Sequence, residues 1–191
     1  MLIIGAPLNF FNQPYVDFEI SKQNKKYYVS NNCIIEKNTE RLIIGNESGV
    51  IPDGIKIIGK YAFANTDVLE IIMPNSITAI EKSAFECCSA LESLVISDEI
   101  KEISDEAFLA CMSIEKLVIP DGVTIIGEAA FIGCADLKYI YLPDSITSIK
   151  IDRYGRLPFA DCNRIEEISI PKHLQWLSKL LDCECKVIVR N

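Results

Sequence analysis

A phenylalanine returns at a nearly constant interval inside one repeated frame, and this constrains the chain more than any other feature. Phe63, Phe85, Phe108 and Phe131 stand 22, 23 and 23 residues apart, and Phe159 follows after 28. Ala62, Ala84, Ala107 and Ala130 precede the first four, and Pro158 precedes the last. Three residues after each phenylalanine come Thr66, Cys88, Cys111, Cys134 and Cys162. Turns open the coils at Pro52, Pro74, Ser97, Pro120 and Pro143. A fixed period in this range means a solenoid, in which each coil buries its apolar side only against its neighbours. One coil alone has too few apolar side chains to offset the entropy of ordering it, so the array folds as a unit.

The coils run over 52–73, 74–96, 97–119, 120–142 and 143–170. Each begins with a Pro-Asp-Gly, Pro-Asn-Ser or Pro-Asp-Ser turn or a variant of it, where proline sets φ and the small polar residues tolerate the bend. A short stretch with two apolar residues follows: Ile55/Ile58, Ile77/Ile80, Ile100/Ile103, Val123/Ile126 and Ile146/Ile149. The Ala-Phe element comes next, with room for one helical or 3-10 turn. A strand of pattern L-x-x-I-x-I completes the coil, as in Leu91/Leu94/Ile96, Ile114/Leu117/Ile119, Leu137/Ile140/Leu142 and Ile165/Ile168/Ile170. In the shorter first coil Val68/Ile71/Met73 takes these positions, with Leu69 as the alternative anchor.

The ends of such an array expose a core face and open strand edges, and they need caps. Residues 1–50 lack the phenylalanine frame and are expected to form an N-terminal β-hairpin cap. Strands are predicted from Lys26 and Cys33 onward, with a hairpin at 37–40 leading into Arg41-Leu-Ile-Ile-Gly45. The apolar start, 1–11, reads as a strand and a turn. Residues 51–171 hold five repeats. Residues 172–191 form a C-terminal cap, with Leu174, Leu177 and Leu181 on one face of a helix and a final strand from Lys186.

The frame Pro120-Asp-Gly-Val-Thr-Ile-Ile-Gly-Glu-Ala-Ala-Phe-Ile-Gly-Cys134 resembles the BspA-like, or Treponema pallidum-type, leucine-rich repeat, across residues 51–171. Asn31-Asn-Cys-Ile-Ile-Glu-Lys-Asn-Thr-Glu-Arg-Leu-Ile-Ile-Gly45 is similar to a hairpin module often inserted between such repeats. The fifth coil departs from the pattern by inserting residues around 151–157. The resemblance implies an α/β repeat solenoid: a right-handed coil with a parallel concave β-sheet and short 3-10, helical and β segments on the convex side. It also implies non-enzymatic roles in protein binding and bacterial adhesion, with no shared catalytic residues.

Composition and motifs narrow the partners and the chemistry. A net charge of −8 argues against nucleic acid and anionic membranes as partners, because both attract basic surfaces. No apolar run is long enough to span a bilayer. As written the chain reads as cytoplasmic, or as cell-surface or secreted if it is a processed fragment. Cys88, Cys111, Cys134 and Cys162 share one slot and should form a column about 4.7–4.9 Å apart. That spacing allows disulfides, but buried packing thiols account for it better. With one histidine and no CxxC pair, a zinc site is not expected, nor is any cofactor. His173, with Cys183 and Cys185 nearby in sequence, is the single place where catalysis could be sought; an exposed histidine on a cap is the plainer account.

What remains is a surface. Residues flanking the middle apolar position of each long strand point away from the core. They are Glu70 and Ile72, Ser93 and Val95, Lys116 and Val118, Tyr139 and Tyr141, and Glu167 and Ser169. One column is polar with mixed charge, and the other is an apolar stripe with a tyrosine. β-branched residues also suit strands for their own sake. The concave sheet is nonetheless the expected contact face for a protein partner, with a passive spacer in a larger surface protein as the alternative.

Overall fold

The structure, a computed structural model, describes residues 18–181 and 185–191. The expected strand at 1–11 and Cys183 lie outside them. Strands β1 (Tyr27–Ser30), β2 (Cys33–Glu36) and β3 (Arg41–Ile44) form an antiparallel meander, as the hairpin signals require. Each coil then supplies a two-residue strand and a longer one. These are β4 (Ile57–Ile58) and β5 (Glu70–Ile72), β6 (Ala79–Ile80) and β7 (Ser93–Val95), and β8 (Glu102–Ile103) and β9 (Lys116–Val118). They continue as β10 (Ile125–Ile126) and β11 (Tyr139–Tyr141), then β12 (Ser148–Ile149) and β13 (Glu167–Pro171), and β14 (Lys186–Arg190) closes the chain.

The short strands join the meander in one eight-stranded sheet, ordered β1-β2-β3-β4-β6-β8-β10-β12. The N-terminal meander therefore continues the short-strand face without a seam. Between the two faces run the buried columns. The five phenylalanine rings stack with centroids 5.1, 5.0, 5.3 and 5.7 Å apart and interplanar angles of 11° or less. Val68, Ile71 and Met73 are buried while Leu69 is exposed, which settles the first coil's register.

The Ala-Phe element is not a helical turn. It is a chain of tight turns in which residues two before and two after the phenylalanine take left-handed φ: Tyr61 and Asn65, Ser83 and Cys87, Glu106 and Ala110, Ala129 and Gly133. This alternation turns backbone donors and acceptors along the solenoid axis. Phe63 N donates to Ala84 O at 2.8 Å, Phe85 N to Ala107 O at 2.9 Å, Phe108 N to Ala130 O at 2.9 Å, and Phe131 N to Pro158 O at 3.0 Å. At the N-terminal end Gly45 N donates to Ala62 O at 2.7 Å, and Gly45 lies against the Phe63 ring. A Cβ at Gly45 would sit 2.2 Å from that ring, so only glycine closes the column here.

The cysteine column packs and donates. Sγ of Cys88, Cys111, Cys134 and Cys162 reaches the carbonyl of Phe63, Phe85, Phe108 and Phe131, one coil earlier, at 3.0, 3.1, 3.5 and 3.3 Å. All four are free and buried. In the first coil Thr66 Oγ1 bonds the same Phe63 carbonyl at 2.7 Å. The neighbouring Cys88 sulfur and burial hold the Cys111 thiol well above its ordinary range.

After β13 comes a 3-10 helix, Lys172–Lys179, that buries Leu174 and Leu177, followed by β14 pairing in parallel with β13. His173 is exposed, and its Nε2 donates to Ile146 O at 2.7 Å, which ties the helix to the fifth coil.

Candidate functional site

The long strands position every residue expected on the concave face. In the register, Glu70 pairs with Ser93, and Ile72 with Val95. Further along, Lys116, Tyr139 and Glu167 align in one row, and Val118, Tyr141 and Ser169 in the other. The sheet is not continuous, however. β5 and β7 form a two-stranded sheet, and β9, β11, β13 and β14 form a separate one. The strand before the break is unusual in its core contacts. Leu94 is only half-buried, whereas Ile71, Leu117, Ile140 and Ile168 in the same slot are fully buried. The coil that follows opens with Ser97, where the other coils open with proline. Ser97 Oγ donates to Ile77 O at 2.8 Å and accepts from Glu99 N at 3.2 Å, a local set of bonds that proline cannot make.

The apolar row is exposed along most of its length. Ile72, Val95 and Val118 are 56%, 51% and 48% exposed. Two further residues extend it, and the sequence reading passed over both. Val50 stands two residues before Pro52 as Ile72 does before Pro74; it is exposed, and it lines one shallow hollow with Ile72. Ile188 pairs with Ser169 and continues the row into β14.

Tyr141 is not free in the way the stripe implied. The Arg190 guanidinium lies over its ring at 4.3 Å, donates to Ser169 Oγ at 2.7 Å, and pairs with Asp144 Oδ1 at 3.3 Å. Arg190 thus closes the C-terminal end of the row. Nothing in the sequence signals this clasp, because its partners lie one and two coils away.

The polar row is largely self-paired. Ser93 Oγ donates to Glu70 Oε1 at 3.1 Å, and Lys186 Nζ pairs with Glu167 Oε2 at 2.8 Å. Tyr139 OH donates to Glu166 Oε2 at 2.9 Å, and this bond raises the phenol's pKa. Lys116 has no ion-pair partner among the described residues, and it sits beside the break.

Among the described residues no group of three or more His, Cys, Asp or Glu could hold a metal ion. No helix among them is long and apolar enough to cross a membrane.

A parallel-stranded solenoid whose coils of about 23 residues each end in an L-x-x-I-x-I strand is the architecture of leucine-rich-repeat proteins. The chain belongs to the BspA-type leucine-rich-repeat family, whose model matches residues 33–157 in 6 copies. The first copy reaches into the segment assigned from sequence to the N-terminal cap, in agreement with Val50 and Pro52 echoing Ile72 and Pro74. The chain is similar to a leucine-rich cell surface protein of Faecalibacterium prausnitzii, with 29% identity and a TM-score of 0.69 over 75% of this chain and 39% of that one. It shares its fold with the T. pallidum leucine-rich-repeat protein, at 21% identity and a TM-score of 0.62, covering 86% of this chain and 82% of that one. The pneumococcal vaccine antigen PcpA also has this fold, at 19% identity and a TM-score of 0.73, over 93% of this chain and 50% of the antigen. No curated protein matches the chain in sequence.

Proposed function

We propose that this chain is a non-enzymatic protein-binding module that meets its partner through the long-strand face. Ile72, Val95 and Val118 form the centre of the contact, and Val50 extends it. Glu70, Ser93, Lys116, Tyr139 and Glu167 form its polar border, and Tyr141 and Ser169 lie under Arg190 at one end. The observation that carries this reading is the row of half-exposed aliphatic side chains along the long-strand face of the solenoid. A patch of this kind, rimmed by polar groups, suits a protein interface. Surface display is part of the proposal, since the Faecalibacterium relative is a cell surface protein.

The test is capture from bacterial and host extracts by the immobilised chain, with Val95→Asp and Val118→Asp as variants and Lys172→Glu as a control on the cap. Loss of the captured band with either aspartate, but not with the control, supports the reading. Equal capture by all four proteins, or no capture by any, removes it. The second reading is a spacer. It draws on the chain's spanning 39% and 50% of two longer relatives, and absence of capture favours it.

A further inference from the structure

The fifth coil breaks the repeat on the other face. Its inserted loop, 151–157, follows β12, the last short strand. Tyr154 is 67% exposed and Ile151 52% exposed. Arg153 and Arg156 place their guanidiniums 4.8 and 5.5 Å from the centre of the Tyr154 ring. The loop is ordered by its own bonds. Asp152 Oδ1 accepts from Tyr154 N at 2.8 Å and Arg156 N at 2.9 Å, while Oδ2 accepts from Arg156 Nε at 2.8 Å. Asp152 N donates to Arg156 O at 3.1 Å, and Gly155, with φ of 79°, takes the left-handed corner. Buried Leu157 and Phe159 anchor the far end.

The charges around it are almost all spoken for. Lys150 pairs with Glu102 and Asp105, and Arg156 with Asp152 and Asp161. Arg41, Arg164 and Arg190 have acidic partners as well. Arg153 alone among the arginines has none among the described residues. An arginine spread on an exposed tyrosine, on a loop that need not reorganise, is the chemistry of a recognition hot spot.

We propose that loop 151–157 is a second recognition site, separate from the long-strand face, which takes an acidic protein segment. A carboxylate of that segment pairs with the Arg153 guanidinium in the bidentate manner arginine favours. An apolar neighbour packs on Tyr154 and Ile151. One unpaired guanidinium beside two exposed apolar side chains suits a single carboxylate next to an apolar residue. It does not suit a polyanion, which draws on several free cations.

The test is selection of displayed random peptides on the full chain, with counter-selection on the Arg153→Glu variant. The expected clones carry Asp or Glu beside an apolar residue. Their affinity falls roughly tenfold or more with Arg153→Glu and with Tyr154→Ala, as for a hot-spot residue. It falls also with Asp152→Ala, which frees the loop while leaving Arg153 and Tyr154 in place. Val118→Asp leaves it unchanged, which keeps this result independent of the long-strand face. Arg153 makes no ion pair in the chain, so Arg153→Glu should keep the native melting temperature. The proposal is overturned if no clone depends on Arg153. It is also overturned if a sulfated polysaccharide displaces the clones as well as free peptide does, since the loop would then be a polyanion site.

Discussion

The two faces of the solenoid are built from the same coils, yet they are held together differently. Along the short-strand face every coil is stitched to the next by the sheet β4-β6-β8-β10-β12, by the left-handed arches and by stacked phenylalanines. On the long-strand face the ladder stops between β7 and β9, although the same two coils stack Phe85 on Phe108 at 5.0 Å. One face is uniform and continuous; the other varies from coil to coil and is interrupted. Repetition fixes the scaffold, and the interrupted face is where the residues are free to differ.

The largest effect should come from the continuous side. Phe108→Ala removes a fully buried ring with a stacked ring on both sides and should cost about 3–5 kcal/mol in chemical denaturation. A loss below about 1 kcal/mol would mean that the column is not what holds the coils together. Gly45→Ala should cost about 1–3 kcal/mol, because its Cβ forces the Phe63 ring to move. If it is silent, the column is not closed where the hairpin meets it. The finest contrast is in hydrogen exchange. Ile119 N donates to Tyr141 O and Lys138 N to Glu115 O, whereas the matching amides at the break, Ile96 and Glu115, have no such bond to the neighbouring coil among the described residues. Ile96 and Glu115 should exchange at least about tenfold faster than Ile119 and Lys138. Equal protection would show that the two blocks form one sheet in solution.

Much of this was legible in the chain because a repeat states its rules several times. The phenylalanine, cysteine and L-x-x-I-x-I slots gave the buried columns, and the period-2 alternation placed Ile72, Val95 and Val118 outward. The left-handed arch residues were not legible. Tyr61, Ser83, Glu106 and Ala129 lack the glycine or asparagine signature of that conformation, and the inter-coil ladder imposes it instead. The break between β7 and β9 was hidden as well, since Leu94 matches the pattern and differs only in how deeply it packs. Arg190 reads as the end of a strand; that it covers Tyr141 depends on β14 lying beside β13. Val50 was readable from its distance to Pro52, but the strong N-terminal hairpin signals drew it into the cap.

The arch bonds have one more consequence. Each runs from the amide of one coil to the carbonyl of the next, Phe63 to Ala84 and Phe108 to Ala130, always toward the C-terminus. The array therefore has a direction, like a chain of hooks and eyes. Its leading end offers carbonyls, one of which Gly45 N–H occupies, and its trailing end offers amides. A duplicated coil fits anywhere in such an array provided that it enters in the same sense. Two arrays joined end to end through their arches can match only trailing end to leading end, which gives any extended array of this architecture a single polarity.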